Sequence, residues 1–265
     1  MGIKEIILKS YRLFKKTFKK IKSIEYLFYL GNNYSCPVCV IKLKKFKTYG
    51  GSYSIKGQNI DHTTPNYSCP KCGSGIRHRL IMAFLKQNHD KLLSGRRKIL
   101  HFAPEKYITN FFNHYSNIEY IQADIDPTKF KNAIKQDITN ITLPLNSIDG
   151  IICIHVLEHI YEDLIAIQQL NKVLKPGGWL LLVLPIYGDV TFEIPNLTAK
   201  EREVQYGIDE HMRLNGLDIT RKLEDEGFEV TVISTENIVG DYFDKKIKTP
   251  HSESDKYLFY CTKVK

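Results

Sequence analysis

The sequence has 265 residues, 43% hydrophobic and 25% charged, a composition that suits one sizeable α/β domain with something small beside it. No apolar stretch approaches the ~18 residues of a membrane-spanning helix, and basic residues interrupt the N-terminus, so neither a span nor a signal peptide is expected. The net charge of +9 would attract nucleic acid or anionic lipid. However, residues 1–30 hold eight Lys or Arg and two Glu, a net of +6, so most of the excess lies there.

Residues 1–30 are predicted to form a basic amphipathic helix. At about 100° per residue, an apolar stripe lies opposite a lysine-rich face. This pattern is typical of a helix in an anionic membrane interface, but packing on its own domain is an equally good interpretation. Nucleic-acid binding is a third and weaker one. The stripe consists of Ile3, Ile7, Phe14, Phe18, Ile21 and Phe28.

Two C-x-x-C motifs follow, Cys36-Pro-Val-Cys39 and Cys69-Pro-Lys-Cys72, with 29 residues between them. Thiolates on two tight turns supply the four tetrahedral sulfur ligands that Zn²⁺ prefers. Disulfides or redox chemistry are the alternative, but two matched motifs favour a metal, and with it a reducing compartment. The sequence therefore predicts a zinc ribbon over residues 31–75. Its metal should be structural, because a four-cysteine site has no open coordination position.

Short apolar runs alternate with helical patterns over residues 76–265, which predicts a doubly wound α/β sheet. The fourth and fifth strands are joined by a helix whose apolar positions include Leu164, Ile165, Ile167 and Leu170. The run 175–178, Lys-Pro-Gly-Gly, is predicted to be the turn that ends this helix, and a further helix is predicted over 217–226. The seven predicted strands are 98–103, 120–124, 133–137, 150–154, 179–184, 228–234 and 257–262.

The sequences Leu157-Glu158-His159 and Val173-Leu174-Lys175-Pro176-Gly177-Gly178 resemble class I S-adenosylmethionine-dependent methyltransferases. With the runs CPVC, CPKCGSGIRHR, LHFAPE, HVLEHI and DEHMRLNG, nearly the whole chain resembles a bacterial subgroup of zinc-ribbon methyltransferases often associated with surface-polysaccharide synthesis. The resemblance implies a Rossmann-like sheet of seven strands with the last one antiparallel, preceded by the basic helix and the ribbon. It also implies S-adenosylmethionine as the cofactor.

Ligands of open α/β sheets bind beyond the carboxyl ends of the central strands. By the resemblance, Asp124 and Ile125 after the second strand lie at the cofactor's ribose, with Asp126 as a competitor for the role of Asp124. Asp137 and Ile138 after the third strand would contact the adenine. A carboxylate that caps a turn is the alternative interpretation of both Asp124 and Asp137.

The loop after the first strand departs from the pattern of most class I methyltransferases, which carry an acid and several glycines there. Here the strand is followed by Ala103, Pro104 and Glu105, of which only Ala103 is small. Pro104 and Glu105 suit the start of a helix, and Glu105 would accept a hydrogen bond from the cofactor's ammonium group. All three are predicted to line the cofactor site. The missing glycines also favour an alternative function, a catalytically silent binding module.

A hydroxyl acceptor has to lose a proton during methyl transfer, so a general base is expected near the methyl group. His155, just past the fourth strand, lies close to the methyl group by the resemblance and is predicted to contact the cofactor as well. His211 is a second candidate, with Asp209 or Glu210 as the carboxylate that orients it. An ordinary surface or helix-capping histidine is the alternative for His211. His159 is predicted to be a packed residue that holds the loop.

The predicted function is O-methylation of a sugar hydroxyl, in a surface glycan or its lipid-linked precursor, by a cytoplasmic enzyme that is peripheral at the inner membrane. Arg213 is predicted to bind an anionic sugar or phosphate, and Tyr187 and Asp189 are weaker candidates for contacts with the acceptor. A nucleic-acid methyltransferase is a further alternative. The N-terminal position of the basic excess and the absence of an Asn-Pro-Pro-Tyr motif after the fourth strand count against a nucleic-acid partner.

Overall fold

The structure is a computed structural model that describes residues 24–246 and 253–264. Most of the basic helix predicted over residues 1–30 lies outside the described residues. Its last part forms a 3₁₀ turn at Glu25–Tyr29 that leads directly into the first strand. Within the two described ranges, no helix is long and apolar enough to cross a membrane.

The described residues form eleven strands and six α-helices. The strands are β1 (Leu30–Cys36), β2 (Ile41–Leu43), β3 (Lys47–Ile55), β4 (Gln58–Ser68), β5 (Arg97–Phe102), β6 (Ile118–Asp124), β7 (Ile134–Lys135), β8 (Ile148–Ile154), β9 (Leu174–Val183), β10 (Phe228–Ser234) and β11 (Tyr257–Lys263). The helices are α1 (Ile76–Gln87), α2 (His89–Leu93), α3 (Lys106–Phe112), α4 (Asp163–Val173), α5 (Ala199–Tyr206) and α6 (Ile219–Asp225).

The last seven strands form one sheet in the order β10-β11-β9-β8-β5-β6-β7. The pairs β5–β6, β5–β8, β6–β7 and β8–β9 are parallel, whereas β11 runs antiparallel to both β9 and β10. The order reverses at β5, which opens a crevice at the carboxyl edge of the sheet between β5 and β8. The prediction of a seven-stranded doubly wound sheet with an antiparallel last strand is confirmed.

Both faces of the sheet are covered by helices, which gives three layers. Side chains of α4 and α6 pack against one face, and side chains of α1, α2 and α3 pack against the other. β8 lies in the middle and is almost entirely buried. A strand buried on both faces is expected to have a continuous apolar sequence, and β8 has one. The packed layers hold the strand ends, and therefore the crevice, in fixed positions.

Residues 175–178, predicted as a turn, lie inside β9 instead. The residue before them pairs with Ile148 and the residue after them, Trp179, pairs with Gly150, so four residues of β9 oppose one residue of β8. These four residues form a bulge in the strand, and Gly177 takes a left-handed φ of +74° within it. The prediction was right that the helix ends here, but wrong about the conformation that follows.

The buried face of α4 also differs from the prediction. Leu164 and Ile165 are 43% and 44% exposed, whereas Ala166, Ile167 and Leu170 are buried. A helix on a sheet buries one stripe of residues three and four apart, and the stripe that begins at the start of α4 excludes both exposed residues. Elsewhere the predicted bounds differ by a few residues; the third strand, for example, is only Ile134–Lys135.

Two small antiparallel sheets precede the main one, β1–β2 and the hairpin β3–β4. The hairpin extends well beyond the cysteine motifs. At its tip, the backbone N–H groups of Lys56 and Gly57 donate to the carbonyl oxygens of Gln205 and Val204 on α5, at 2.9 and 3.1 Å. The hairpin therefore connects the cysteine-rich region to the segment between β9 and α6.

Candidate functional site

The four cysteines of the two C-x-x-C motifs come together, with all four Sγ atoms within 4.8 Å of one another. The Sγ atoms of Cys36 and Cys72 lie 3.8 Å apart, and those of Cys39 and Cys69 lie 3.7 Å apart. Zn–S bonds of ~2.3 Å in a tetrahedron place the sulfurs about 3.8 Å from each other. The cluster is therefore compatible with a tetrahedral zinc ion. Ser74 Oγ, 3.1 Å from Cys72 Sγ, is a polar group in its outer shell.

The backbone is strained at the carboxyl ends of β5 and β8. Ala103 has φ of +47° and His155 has φ of +51°, both in the left-handed region. Such conformations cost about 1–3 kcal/mol each and persist only where the surrounding structure holds them. Here the N–H of Ala103 donates to the carbonyl of Ala123, and that of His155 donates to the carbonyl of Val183. Ala103 thus adopts a backbone conformation that is more usual for glycine. It does so in the loop after β5, which contains no glycine.

Arg77, His78 and Glu105 form a half-buried group of charged side chains beside the end of β5. His78 Nδ1 accepts from the N–H of Gly75, so Nε2 carries the proton and donates to Glu105 Oε1 at 3.1 Å. Arg77 Nη2 donates to the same oxygen at 3.1 Å. Burial would raise the pKa of Glu105, but the hydrogen bond from His78 and the charge and hydrogen bond of Arg77 outweigh it and lower the pKa to about 2.

This group still has free hydrogen-bonding atoms. Arg77 Nε and Glu105 Oε2 are buried and have no hydrogen-bond partner among the described residues. One is a donor on a cation and the other an acceptor on an anion. Because buried polar groups are nearly always hydrogen-bonded, two such atoms in one crevice indicate a ligand that carries both charges.

His155 lies between two acidic side chains at the end of β8. Its Nδ1 is 3.5 Å from Glu158 Oε1, and its Nε2 is 3.7 Å from Asp255 Oδ1, both longer than ordinary hydrogen bonds. Burial, with the charge of Arg77, lowers the pKa of His155 to about 4. The imidazole is therefore neutral at neutral pH and able to accept a proton, and its side chain is 23% exposed.

Glu158 is completely buried, and neither of its carboxylate oxygens has a hydrogen-bond partner among the described residues. Burial raises the pKa of Glu158 to about 8, against the opposing charges of Arg77 and Arg213. His159 and His211 lie beside it, with their ring centroids 4.8 Å apart in an edge-on arrangement. One side-chain atom from each of these three residues lies within 4.8 Å of the other two.

His211, one of the two predicted bases, is only 5% exposed. Burial and the neighbouring His159 lower its pKa to about 4. Glu210 is exposed, and no hydrogen bond or ion pair joins its carboxylate to His211 in the described part of the chain. A role for Glu210 as the carboxylate that orients His211 therefore stays a prediction without a contact to support it.

The prediction that Arg213 binds an anionic acceptor is wrong, because Arg213 is 1% exposed and its donors are used within the protein. Its guanidinium donates to the carbonyl oxygens of Leu157, Ile160 and Tyr161. It also donates to both carboxylate oxygens of Glu193. Arg213 therefore holds the loop after β8 against the segment that carries His211.

The predicted cofactor carboxylates lie at the strand ends, but they differ in their local bonding. Asp124 closes β6, and its Oδ1 accepts from the N–H of Asp126 at 2.8 Å. Asp126 caps a turn through Thr128, and Asp137 caps one through Thr139, each by accepting from both the backbone N–H and the hydroxyl. The turn-capping interpretation thus describes Asp124 as well as Asp126 and Asp137, although Oδ2 of Asp124 accepts no hydrogen bond from the described residues.

The apolar residues predicted to contact the cofactor also differ from one another. Ile125, directly after Asp124, is 62% exposed, so its side chain is accessible for contact with an adenine ring. Ile138 is 4% exposed and belongs to the hydrophobic core beside α4. Pro104 is buried at the start of the loop that leads to α3.

Sequence reasoning missed Arg77, Asp255 and the unpartnered state of Glu158. Arg77 lies in the CPKCGSGIRHR run, but nothing in that run shows that α1 begins beside the end of β5. Asp255 precedes β11, is 2% exposed, accepts a hydrogen bond from Tyr67 and lies 4.0 Å from Arg77. Only the antiparallel return of β11 brings it to His155. Glu158 stands in the quoted HVLEHI run, and the run alone does not show its burial.

A family model described as a methyltransferase domain matches residues 103–182, which extend from the end of β5 into β9. The search of curated proteins gave no match. This matched stretch contains Asp124, Asp137, His155, Glu158 and His159.

Among similar solved structures is a chain of a Haloferax volcanii complex that contains the Trm112 methyltransferase activator. It is 12% identical with a TM-score of 0.49, and the match covers 69% of this chain and 90% of that one. Another is a SAM-dependent methyltransferase from Archaeoglobus fulgidus, 15% identical with a TM-score of 0.45, covering 72% and 95%. Similarities of this size carry no functional argument. The family match shows that residues 103–182 are similar to a methyltransferase domain, and the strand order gives the chain a Rossmann-like sheet of the class I methyltransferase type.

Proposed function

We propose that the protein transfers a methyl group from S-adenosylmethionine to a sugar hydroxyl of a surface glycan or of its lipid-linked precursor. The observation that carries this proposal is a set of buried polar atoms without hydrogen-bond partners at the carboxyl ends of β5 and β8. They belong to Arg77, Glu105 and His155. Leaving such atoms unsatisfied costs about 1–3 kcal/mol each, and more for charged groups, so a polar ligand would gain from binding there.

Arg77 and Glu105 fit the amino-acid end of S-adenosylmethionine. Arg77 would donate to its carboxylate, and Glu105, kept ionised by its low pKa, would accept from its ammonium group. Asp124 would accept hydrogen bonds from the ribose hydroxyls, and the exposed Ile125 would cover the adenine. Asp137 and Ile138 remain candidates for the adenine edge, and Ala103 and Pro104 for the wall beside the amino-acid end. The cofactor supplies a methyl group bound to a positively charged sulfur.

His155 is the general base that we propose. As the acceptor oxygen forms its bond to the methyl carbon and the carbon–sulfur bond breaks, the hydroxyl proton passes to the neutral imidazole. The products are a methyl ether and S-adenosylhomocysteine, and the proton later leaves His155 for solvent. Glu158 lies 3.5 Å from Nδ1 and Asp255 lies 3.7 Å from Nε2, so a carboxyl group is close to either ring nitrogen of the imidazolium.

A cavity of about 320 Å³ next to β9 suits a small polar acceptor. It is lined in part by Tyr187, Asp189, Glu253 and Tyr257. Tyrosine rings can pack against the apolar face of a sugar, and carboxylates accept hydrogen bonds from its hydroxyls. The volume lies near the lower end of the range for small-molecule sites. The two acidic residues disfavour a phosphate backbone, which counts against a nucleic-acid methyltransferase.

The alternative of a catalytically silent binding module rested on the missing glycines of the first loop. The positive φ of Ala103 weakens that alternative, because the backbone there adopts a glycine-like conformation without glycine. What supports the enzyme over the module is the neutral His155 beside two carboxyl groups, which a binding module would not need.

Asp124→Ala is expected to weaken the binding of S-adenosylhomocysteine about tenfold or more, because two ribose hydroxyls lose their acceptor. Isothermal titration calorimetry measures this directly. Asp90→Ala is the matched control, since the Asp90 side chain is fully exposed. Unchanged affinity in Asp124→Ala would transfer the role to Asp126. A wild-type protein that binds neither S-adenosylmethionine nor S-adenosylhomocysteine would overturn the proposed function.

His155→Asn is expected to lower kcat by about 10²–10⁴-fold, because the acceptor proton loses its base. Cofactor affinity should change little, since the base acts on the acceptor. Asparagine tolerates positive φ, so this variant keeps the strained backbone. Transfer of a radiolabelled methyl group to isolated glycolipids measures the rate, with His89→Ala as the surface control. Full activity of His155→Asn across a range of pH would place the base elsewhere.

We also propose that the four-cysteine cluster holds one structural zinc ion and that residues 31–75 are a zinc ribbon. Cys69→Ser should then abolish stoichiometric zinc and unfold the ribbon, because metal ligation supplies folding free energy in a small module. Cys153→Ala is the control, as Cys153 is a buried cysteine outside the cluster. Elemental analysis and thermal unfolding measure the two effects. Well under one zinc per wild-type chain would contradict the assignment.

For the N-terminal segment we propose an anionic membrane surface as the partner, where a lipid-linked acceptor would be met. Binding to vesicles that contain anionic lipid should weaken as salt rises, since each lysine contributes about 1 kcal/mol near the surface. Changing Lys15, Lys16, Lys19 and Lys20 to Glu should abolish binding, whereas the same four changes to Arg should preserve it. Vesicle co-sedimentation decides this. A wild-type protein that ignores anionic vesicles at low salt favours packing on its own domain.

A further inference from the structure

We infer a second metal site, separate from the four-cysteine cluster, in which Glu158, His159 and His211 bind one divalent transition-metal ion. One carboxylate oxygen and one ring nitrogen from each histidine lie within 4.8 Å of one another. Two ligand atoms in neighbouring positions on one metal lie roughly 3 Å apart when each bond is ~2.1 Å long. Small side-chain rotations would close that difference.

The polar atoms of this cluster need a partner of one particular kind. Among the described residues, neither oxygen of the fully buried Glu158 has a hydrogen-bond partner, and neither has Nδ1 of His211, which is 5% exposed. When Glu158 is ionised, all of these atoms can offer lone pairs. A hydrogen-bond donor would satisfy one or two of them, whereas a cation coordinates three at once. The shared chemistry of the cluster therefore points to a Lewis acid.

The ligands are held in place by the surrounding backbone. The N–H of Met212 donates to the carbonyl of Glu158 at 2.7 Å, which ties the two ligand-bearing loops together. The buried Arg213 adds three hydrogen bonds to the carbonyls of the loop after β8.

The donor set favours a transition metal over Mg²⁺ or Ca²⁺, which prefer oxygen ligands. Two imidazoles and one carboxylate suit Mn²⁺, Fe²⁺, Co²⁺ or Zn²⁺, and three protein ligands leave coordination positions open. His155 lies 3.5 Å from Glu158, which places the cluster beside the proposed general base. This part of the inference rests on the proposed function: an acceptor hydroxyl bound to the metal would lose its proton to His155 more readily.

The test is a titration with Mn²⁺ of full-length protein that holds only one zinc ion per chain, followed by electron paramagnetic resonance. We expect one Mn²⁺ per chain in addition to the ribbon zinc, with a spin-echo signal from directly bound imidazole nitrogen. Glu158→Gln and His211→Ala should each weaken Mn²⁺ binding at least tenfold, whereas the surface control His89→Ala should not. Circular dichroism establishes that each variant is folded.

Wild-type protein that binds no Mn²⁺ up to millimolar concentration would overturn the inference, as would Mn²⁺ binding without imidazole coupling. If either variant fails to fold, the wild-type stoichiometry and nitrogen coupling still decide the outcome. Calorimetry with S-adenosylhomocysteine on the same protein separates the two proposals. Cofactor binding without Mn²⁺ binding rejects only the metal site, and Mn²⁺ binding without cofactor binding rejects only the proposed function.

Discussion

A buried cation holds the cysteine-rich region on the α/β domain. Arg79 of α1 is 0% exposed, and its guanidinium donates to the carbonyl oxygens of Asn66, Tyr67, Ser74 and Tyr242. Burial lowers the pKa of Arg79 to about 10, and the nearby cysteine sulfurs oppose that shift. Four thiolates around the zinc ion that we propose would carry a net charge of −2, which the arginine would partly compensate. Neither would be stable there alone, because isolated buried charges cost several kcal/mol.

A second buried arginine fixes the backbone on the other side of the crevice. The buried guanidinium of Arg213 donates hydrogen bonds to three carbonyl oxygens and to the carboxylate of Glu193 instead of to water. These bonds fix the loop that follows β8. That loop carries His155, Glu158 and His159. The strained φ of His155 persists because the sheet binds its N–H on one side and Arg213 restrains the chain that follows. Both arginines therefore act on the site through backbone carbonyls and not through a ligand.

The sequence was informative wherever a pattern is local. The two cysteine motifs, the buried runs of β8 and β9, and the Asp at the end of β6 follow from spacing and apolar periodicity. The burial of Arg213 and Ile138 could not be predicted in this way. The residue type after a strand does not show whether a charged or apolar side chain faces a ligand or the core. The bulge at residues 175–178 was hidden for another reason: Pro-Gly-Gly ends a helix equally well as a turn or as an irregular strand. Asp255 reaches His155 only through strand pairing across the sheet.

The hairpin β3–β4 makes the cysteine-rich region part of the site. One end of it is fixed near the cysteines, and its tip is hydrogen-bonded to α5. Between these points Tyr67 donates to Asp255, which lies 3.7 Å from His155. Burial raises the pKa of Tyr187, and the nearby Tyr53 adds to that rise. The hairpin thus contributes one wall of the crevice beside the ends of β8 and β9. A metal that folds the base of the hairpin would therefore determine how the acceptor is held, although its own coordination sphere is closed and takes no part in the chemistry.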